Sequence, residues 1–107
     1  MDAKKLFDLS GKVVIITGAA GMLGSSYAYG LSRQGANVVL TDINFTECKN
    51  IEKDIRDSLH TDPFSLKIDL TKIKSIKSMI SNVLKKYSKI DVLINNAAYQ
   101  GNPKIRT

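Results

Sequence analysis

The sequence contains one cysteine, Cys48, which excludes an intramolecular disulfide framework. A lone thiol fits a reducing compartment, so the expected location is the cytoplasm. Long hydrophobic runs are also missing, and none approaches the roughly 18 residues needed to cross a bilayer. The opening residues, Met1-Asp2-Ala3-Lys4-Lys5-Leu6-Phe7, have no extended apolar stretch and no cleavage signature, so secretion is not expected. The single histidine, His60, sits near a predicted helix end and reads as a solvated C-terminal cation. No group of His, Cys, Asp or Glu has metal-ligand spacing, so no metal site is expected. Aromatic residues do not interleave with the basic ones, and no nucleic-acid reader motif is present.

The charge balance is basic, with 16 Lys+Arg against 10 Asp+Glu for a net +6. The excess gathers between Lys67 and Lys89, at Lys72, Lys74, Lys77, Lys85, Lys86 and Lys89. These lysines alternate with apolar positions at helical spacing, the pattern of a solvated helix face. Neither nucleic acid nor membrane is therefore an expected partner.

At 107 residues, 43% hydrophobic and 24% charged, the chain has the composition of one soluble globular domain. Lys12-Val13-Val14-Ile15-Ile16 is a continuous apolar, β-branched run that stops at Thr17-Gly18. Continuity rather than alternation predicts a strand covered on both faces, as in a parallel sheet. Asn37-Val38-Val39-Leu40-Thr41 and Val92-Leu93-Ile94 repeat it, whereas Phe64-Ser65-Leu66-Lys67-Ile68 alternates like an exposed or edge strand. Helical patterns lie between. The first begins near Met22, carries Leu23, Tyr27, Ala28 and Leu31, and ends at Gly35, a residue suited to a left-handed cap. Gly30 inside it costs about 1 kcal/mol relative to Ala. The second places Cys48, Ile51, Ile55 and Leu59 on one stripe behind an Asn44/Glu47 capping-box-like start. The third sets Ile73, Ile76, Ile80, Val83, Leu84 and Tyr87 on one face, with Thr71 as N-cap. The order β-α-β-α-β-α-β predicts a doubly wound α/β, Rossmann-type parallel sheet, of which this is the N-terminal portion. The core is expected from about residue 10 to 98, with a loose tail at 99–107 and loosely anchored first residues up to Ser10.

Thr17-Gly18-Ala19-Ala20-Gly21-Met22-Leu23-Gly24 carries the chemistry. It follows a buried strand and opens a helix, the context in which a glycine-rich turn binds a dinucleotide. Gly18 permits the tight turn, Gly21 lets backbone approach a pyrophosphate, and Gly24 lets the helix sit close to the strand. The helix start offers N–H groups and a positive dipole end to the phosphates. Asp42, ending the second strand, suits the adenosine ribose hydroxyls and would repel a 2′-phosphate. No basic residue lies from Thr17 to Ser32 to compensate, nor is one at Ile43 or Asn44, so NAD is favoured over NADP. Asp69 and Asn96 follow the next two strands and fall in the crevice where ligands of such sheets bind.

Together these segments resemble the short-chain dehydrogenase/reductase family from about Leu9 to Ala98. The resemblance implies that Asp69 and Leu70 contact the adenine, one by side chain and the other by backbone. It further implies that Asn96 and Ala97 line the cofactor ribose, that Met22 and Leu23 run along the pyrophosphate, and that Asn95 ties strands together. Two departures stand out. The compact branch of the family spaces its glycines Thr-Gly-x-x-x-Gly-x-Gly, whereas Gly18, Gly21 and Gly24 match the branch of nucleotide-sugar epimerases and dehydratases. Against that, Asn95-Asn96-Ala97-Ala98 matches the compact branch, with Ala98 in place of glycine. The family's catalytic Tyr-x-x-x-Lys is absent, since Leu31, Arg33, Asp91 and Pro103 stand four residues after Tyr27, Tyr29, Tyr87 and Tyr99. No catalytic residue is therefore expected, and the chain reads as the inactive, cofactor-binding half of an NAD-dependent oxidoreductase. A non-catalytic NAD-binding module and an epimerase or dehydratase fragment are the other readings. A small-molecule substrate and homo-oligomeric assembly are expected only of a full-length parent. With the strand order 3-2-1-4, Val92-Leu93-Ile94 becomes an unpaired apolar edge, which predicts marginal stability or self-pairing of the isolated chain.

Overall fold

A computed structural model describes residues 7–97. Ala98, the 99–107 tail and the first six residues, each given a role or a state above, lie outside that span. The elements run β1 (Val13–Thr17), α1 (Met22–Arg33), β2 (Asn37–Asp42), α2 (Phe45–Leu59), β3 (Phe64–Lys67), α3 (Ile73–Tyr87) and β4 (Val92–Asn95). The strands form one parallel sheet in the order β3-β2-β1-β4, the doubly wound half expected from the sequence.

Alternate residues of the continuous runs serve opposite layers, which is why those runs never alternate in polarity. Val14, Ile16, Val38 and Leu40 pack with Ala28, Cys48, Ile51 and Ile55 under α1 and α2. Val13, Ile15 and Val39 pack with Ile68, Met79 and Val83 under α3. Every residue of β1 is buried. The alternating strand β3 is an edge, as its pattern suggested, yet Ser65 is buried at 5% exposure while Leu66 is only half-buried.

α1 ends in a Schellman turn. Ala36 N–H donates to Leu31 O at 3.1 Å and Gly35 N–H to Ser32 O at 2.9 Å, with Gly35 at φ +96°. The chain before β1 is better anchored than expected, because Leu9 N–H donates to Gln34 O at 2.7 Å and Leu9 packs on the core. Asn44 caps α2 as predicted, its side chain accepting from Glu47 N–H at 3.2 Å. Thr71 does not cap α3. Its hydroxyl donates to Asp69 Oδ1 at 2.6 Å, and Lys72 stands at the cap position without a side-chain bond. The expected face of α3 also divides. Ile76, Met79, Val83 and Tyr87 meet the core, while Ile73, Ile80 and Leu84 are exposed at 71%, 41% and 45%.

Candidate cofactor-binding site

The site is built where four parallel strands end. β1 stops at Gly18, whose φ of +67° is a left-handed conformation that side chains resist. A Cβ there would also lie 2.9 Å from Ala97 Cα. Gly24, one turn into α1, is more tightly enclosed: a Cβ would overlap Gly18 O and approach Ala19 Cα and Asn96 Nδ2 at 2.9 Å each. Gly21 differs from both. Its φ is −78°, and the nearest protein atom to an added Cβ would be Gly18 O at an ordinary 3.5 Å. Neither backbone conformation nor packing requires glycine at 21, and its missing side chain leaves the helix start open toward the cleft.

Gly21 is also the N-cap of α1, with no side-chain cap and no acid in the first turn. α2, by contrast, has both Asn44 and Glu47 at its start. The beginning of α1 therefore keeps its N–H groups and positive dipole end available to an anion.

Asp42, at the end of β2, faces this turn. Ala20 N–H donates to its Oδ2 at 3.0 Å and Asn44 N–H to its Oδ1 at 2.9 Å. Each carboxylate oxygen keeps one lone pair, enough to accept from two neighbouring hydroxyls. Asp69, following β3, accepts from both the hydroxyl and the N–H of Thr71. Those bonds, with Lys72 nearby, hold its carboxyl below the usual range.

Thr17 joins the two ends of the site. Its buried hydroxyl donates to Asn95 Oδ1 at 3.1 Å and accepts from Asn96 N–H at 2.9 Å and Ala97 N–H at 3.1 Å. Asn95 thus links β4 to β1, the role the resemblance gave it. Asn96 Nδ2 reaches Gly18 O at 3.4 Å, which leaves its carbonyl oxygen without a protein partner among the described residues.

These pieces enclose a cleft of ≈ 1040 Å³. Of the ten residues expected to hold the cofactor, Gly18, Gly21, Met22, Leu23, Asp42, Asp69, Leu70, Asn96 and Ala97 line it. Gly24 does not; it lies beneath, where it seats α1 against the turn. The cleft also includes Ile43 and Thr71, which sequence reasoning did not assign to it. Ile43 is 65% exposed and Leu70 39%, two large apolar side chains in a concave site. Among the described residues no lysine or arginine lines the cleft, although Lys72 Nζ lies 4.0 Å from the Asp69 carboxylate at its edge. Cys48 is buried under α2, and burial, with Asp42 and Glu47 adding, pushes its thiol up to about 12, so it is no nucleophile. Among the described residues no group of three or more His, Cys, Asp or Glu side chains is placed to hold a metal.

A glycine turn into an uncapped helix, a carboxylate ending the neighbouring strand and a cleft across the carboxyl ends of a parallel sheet define a dinucleotide-binding Rossmann-type unit. The family model described as short chain dehydrogenase matches residues 12–107. The chain is 37% identical over 98 residues to a mitochondrial borneol dehydrogenase from Lavandula x intermedia, covering 92% of this chain and 36% of that protein. It superimposes with a TM-score of 0.87 on a 7α-hydroxysteroid dehydrogenase complexed with NADH and 7-oxo glycochenodeoxycholic acid, at 31% identity, covering 94% of this chain and 39% of that one. A metagenomic short-chain oxidoreductase in complex with NADP gives a TM-score of 0.79 at 32% identity, covering 84% and 40%. The chain belongs to the short-chain dehydrogenase/reductase family, whose members are oxidoreductases that bind a nicotinamide dinucleotide. It spans 36–40% of the length of these relatives.

Proposed function

We propose that this chain is the NAD-binding portion of a short-chain oxidoreductase. The observation that carries the reading is the convergence of Gly21, Asp42, Asp69, Leu70, Asn96 and Ala97 on one cleft at an uncapped helix start. In this reading the amides at the start of α1 hold the diphosphate, and Gly21 leaves room for it. Asp42 accepts from the adenosine ribose hydroxyls through its two remaining lone pairs. The adenine lies between Ile43 and Leu70, with Asp69 facing its polar edge. Asn96 and Ala97 flank the second ribose, and Met22 and Leu23 run along the diphosphate. NAD is the preferred dinucleotide, because a 2′-phosphate would meet the Asp42 carboxylate with no cation lining the cleft among the described residues.

Bound nicotinamide supplies hydride exchange with a substrate carbon, and the described residues bind and orient without acting as acid or base. A Tyr-x-x-x-Lys pair occurs nowhere in the sequence, so the 107-residue chain by itself is proposed to bind and not to turn over. Its core unit is residues 10–98. A small-molecule substrate and oligomeric assembly belong to a full-length form. The glycine spacing suggested an epimerase or dehydratase, but the Asn95-Asn96 pair and the matching family model favour the dehydrogenase branch. No helix among the described residues is long and apolar enough to cross a membrane, and the lone buried Cys48 suits a cytoplasmic setting.

The test is calorimetric titration of the chain with NAD+. Saturable binding is expected, and Gly21→Ala should weaken it at least about tenfold while moving stability by no more than about 1 kcal/mol. Unchanged affinity in that folded variant would refute the diphosphate assignment.

A further inference from the structure

The sulfur-bearing side chains among the described residues differ sharply in access. Cys48 is fully buried and Met79 is 5% exposed, each inside a layer that covers the sheet, whereas Met22 is 90% exposed. Met22 is the first residue of α1 and lines the cleft. The compact-branch glycine spacing, laid on Thr17, would put glycine at this position; the chain carries a thioether there instead.

The backbone at Met22 is fixed while its side chain stands in solvent. The Ser25 and Ser26 hydroxyls both donate to Met22 O at 3.0 Å. Ser25 N–H makes the first bond of the helix, to Gly21 O at 2.9 Å. The amides of Met22, Leu23 and Gly24 therefore precede the hydrogen-bond ladder, and no side chain caps them.

Resting on the reading of the cleft as a dinucleotide site, we propose that Met22 is an oxidation-responsive residue that governs access of the diphosphate to these amides. The oxidant is hydrogen peroxide. A lone pair of Met22 Sδ attacks one peroxide oxygen, an S–O bond forms and the O–O bond breaks. The transferred oxygen gives its proton to the departing hydroxide, which leaves as water; sulfur is oxidised and the peroxide reduced. The sulfoxide oxygen is an acceptor on a flexible stem, so it folds back onto the Leu23 and Gly24 amides and caps a helix that had no cap. A diphosphate must then displace it. Thiol-dependent reduction to the thioether reverses the block. Cys48 and Met79 escape the same chemistry by burial.

The experiment treats the whole chain with dilute hydrogen peroxide. Peptide mass spectrometry should find an added oxygen on Met22 well before any on Met79. The dissociation constant for NAD+ should rise about tenfold in step with that change and return on treatment with methionine sulfoxide reductase. Without any ligand, oxidation should move the ¹⁵N–¹H signals of Leu23 and Gly24 downfield. Whatever affinity Met22→Leu begins with, peroxide should leave it within about twofold, which also controls for oxidation at Met1. Met22→Gln, whose amide oxygen imitates the sulfoxide, should bind NAD+ weakly before peroxide is added. Met79 oxidised as fast as Met22, unchanged affinity of the Met22-oxidised chain, a peroxide response that survives in Met22→Leu, parent-like affinity of Met22→Gln, or unmoved Leu23 and Gly24 signals would each overturn the proposal. Absence of NAD+ binding to the unaltered chain would instead refute the cofactor reading beneath it, and the ligand-free amide shifts would still decide whether the sulfoxide caps α1.

Discussion

Three glycines illustrate how differently one residue type is held. Gly24 sits where a methyl group would collide with the Gly18 carbonyl, while nothing lies within 4 Å of the Cβ that Gly30 lacks. Gly24→Ala is therefore expected to destabilise the chain by about 1–3 kcal/mol, with α1 displaced from the turn. Gly30→Ala is expected to stabilise it by up to about 1 kcal/mol. Urea unfolding of both variants measures the pair, and a Gly30→Ala variant less stable than the parent would contradict the open surroundings of that residue. The sequence announced a glycine turn but not this division of labour. Gly21 and Gly24 look alike in a string; only the approach of Gly18 O and Asn96 distinguishes the one that packs from the one that faces the cleft. The Thr17 hydroxyl was equally illegible, because its partners lie 77 to 80 positions away.

The elements were largely readable, since β-branched runs and apolar stripes are local signals of layers that cover both faces. The misreadings came where a local signal had two outlets. Thr71 has the side chain of a helix cap, but Asp69 offers its hydroxyl a carboxylate, and Lys72 takes the cap position. The apolar stripe of α3 was broader than the sheet beneath it, so Ile73, Ile80 and Leu84 remain uncovered among the described residues. The start of β4 is fixed by a link that residue spacing does not show. Asp91 Oδ2 accepts from Val13 N–H at 2.8 Å, and Asp91 N–H returns a bond to Val13 O at 3.0 Å. The Val13 N–H, with Lys89 beside it, holds the Asp91 carboxyl below its ordinary value. A carboxyl lowered on folding stabilises the fold above its unfolded pKa of about 4 and loses that contribution as pH falls through the folded value. The stability difference between the parent and Asp91→Asn should therefore be full at pH 7 and close below about pH 4. Denaturant midpoints across that range measure it, and a difference that stays constant would remove Asp91 from the β1–β4 link.

At the scale of the whole molecule the two sheet edges are unequal. Beside β3, Lys86 lies 5.3 Å from the ring centres of both Phe64 and Tyr87 and 3.3 Å from Asp62, so charge and aromatic bulk gather there. Among the described residues β4 has no such guard: Val92 and Leu93 are 46% and 56% exposed, and the uncovered stripe of α3 adds to the apolar surface. Open apolar edges recruit further strands. The chain is expected to self-associate with rising concentration in sedimentation velocity, and Leu93→Lys should restore a monomer. A parent chain that stays monomeric at millimolar concentration would show the edge to be inert. The hub at Thr17 bears on events before any of this chemistry. Because the first strand's last hydroxyl grips amides almost at the far end of the described chain, a polypeptide leaving the ribosome cannot complete the cleft until its fourth strand is clear of the exit tunnel. Helices α1 and α2 can settle on β1 and β2 well before then, so in vectorial synthesis the scaffold matures first and any ligand of the cleft can reward only a chain that has already laid down β4.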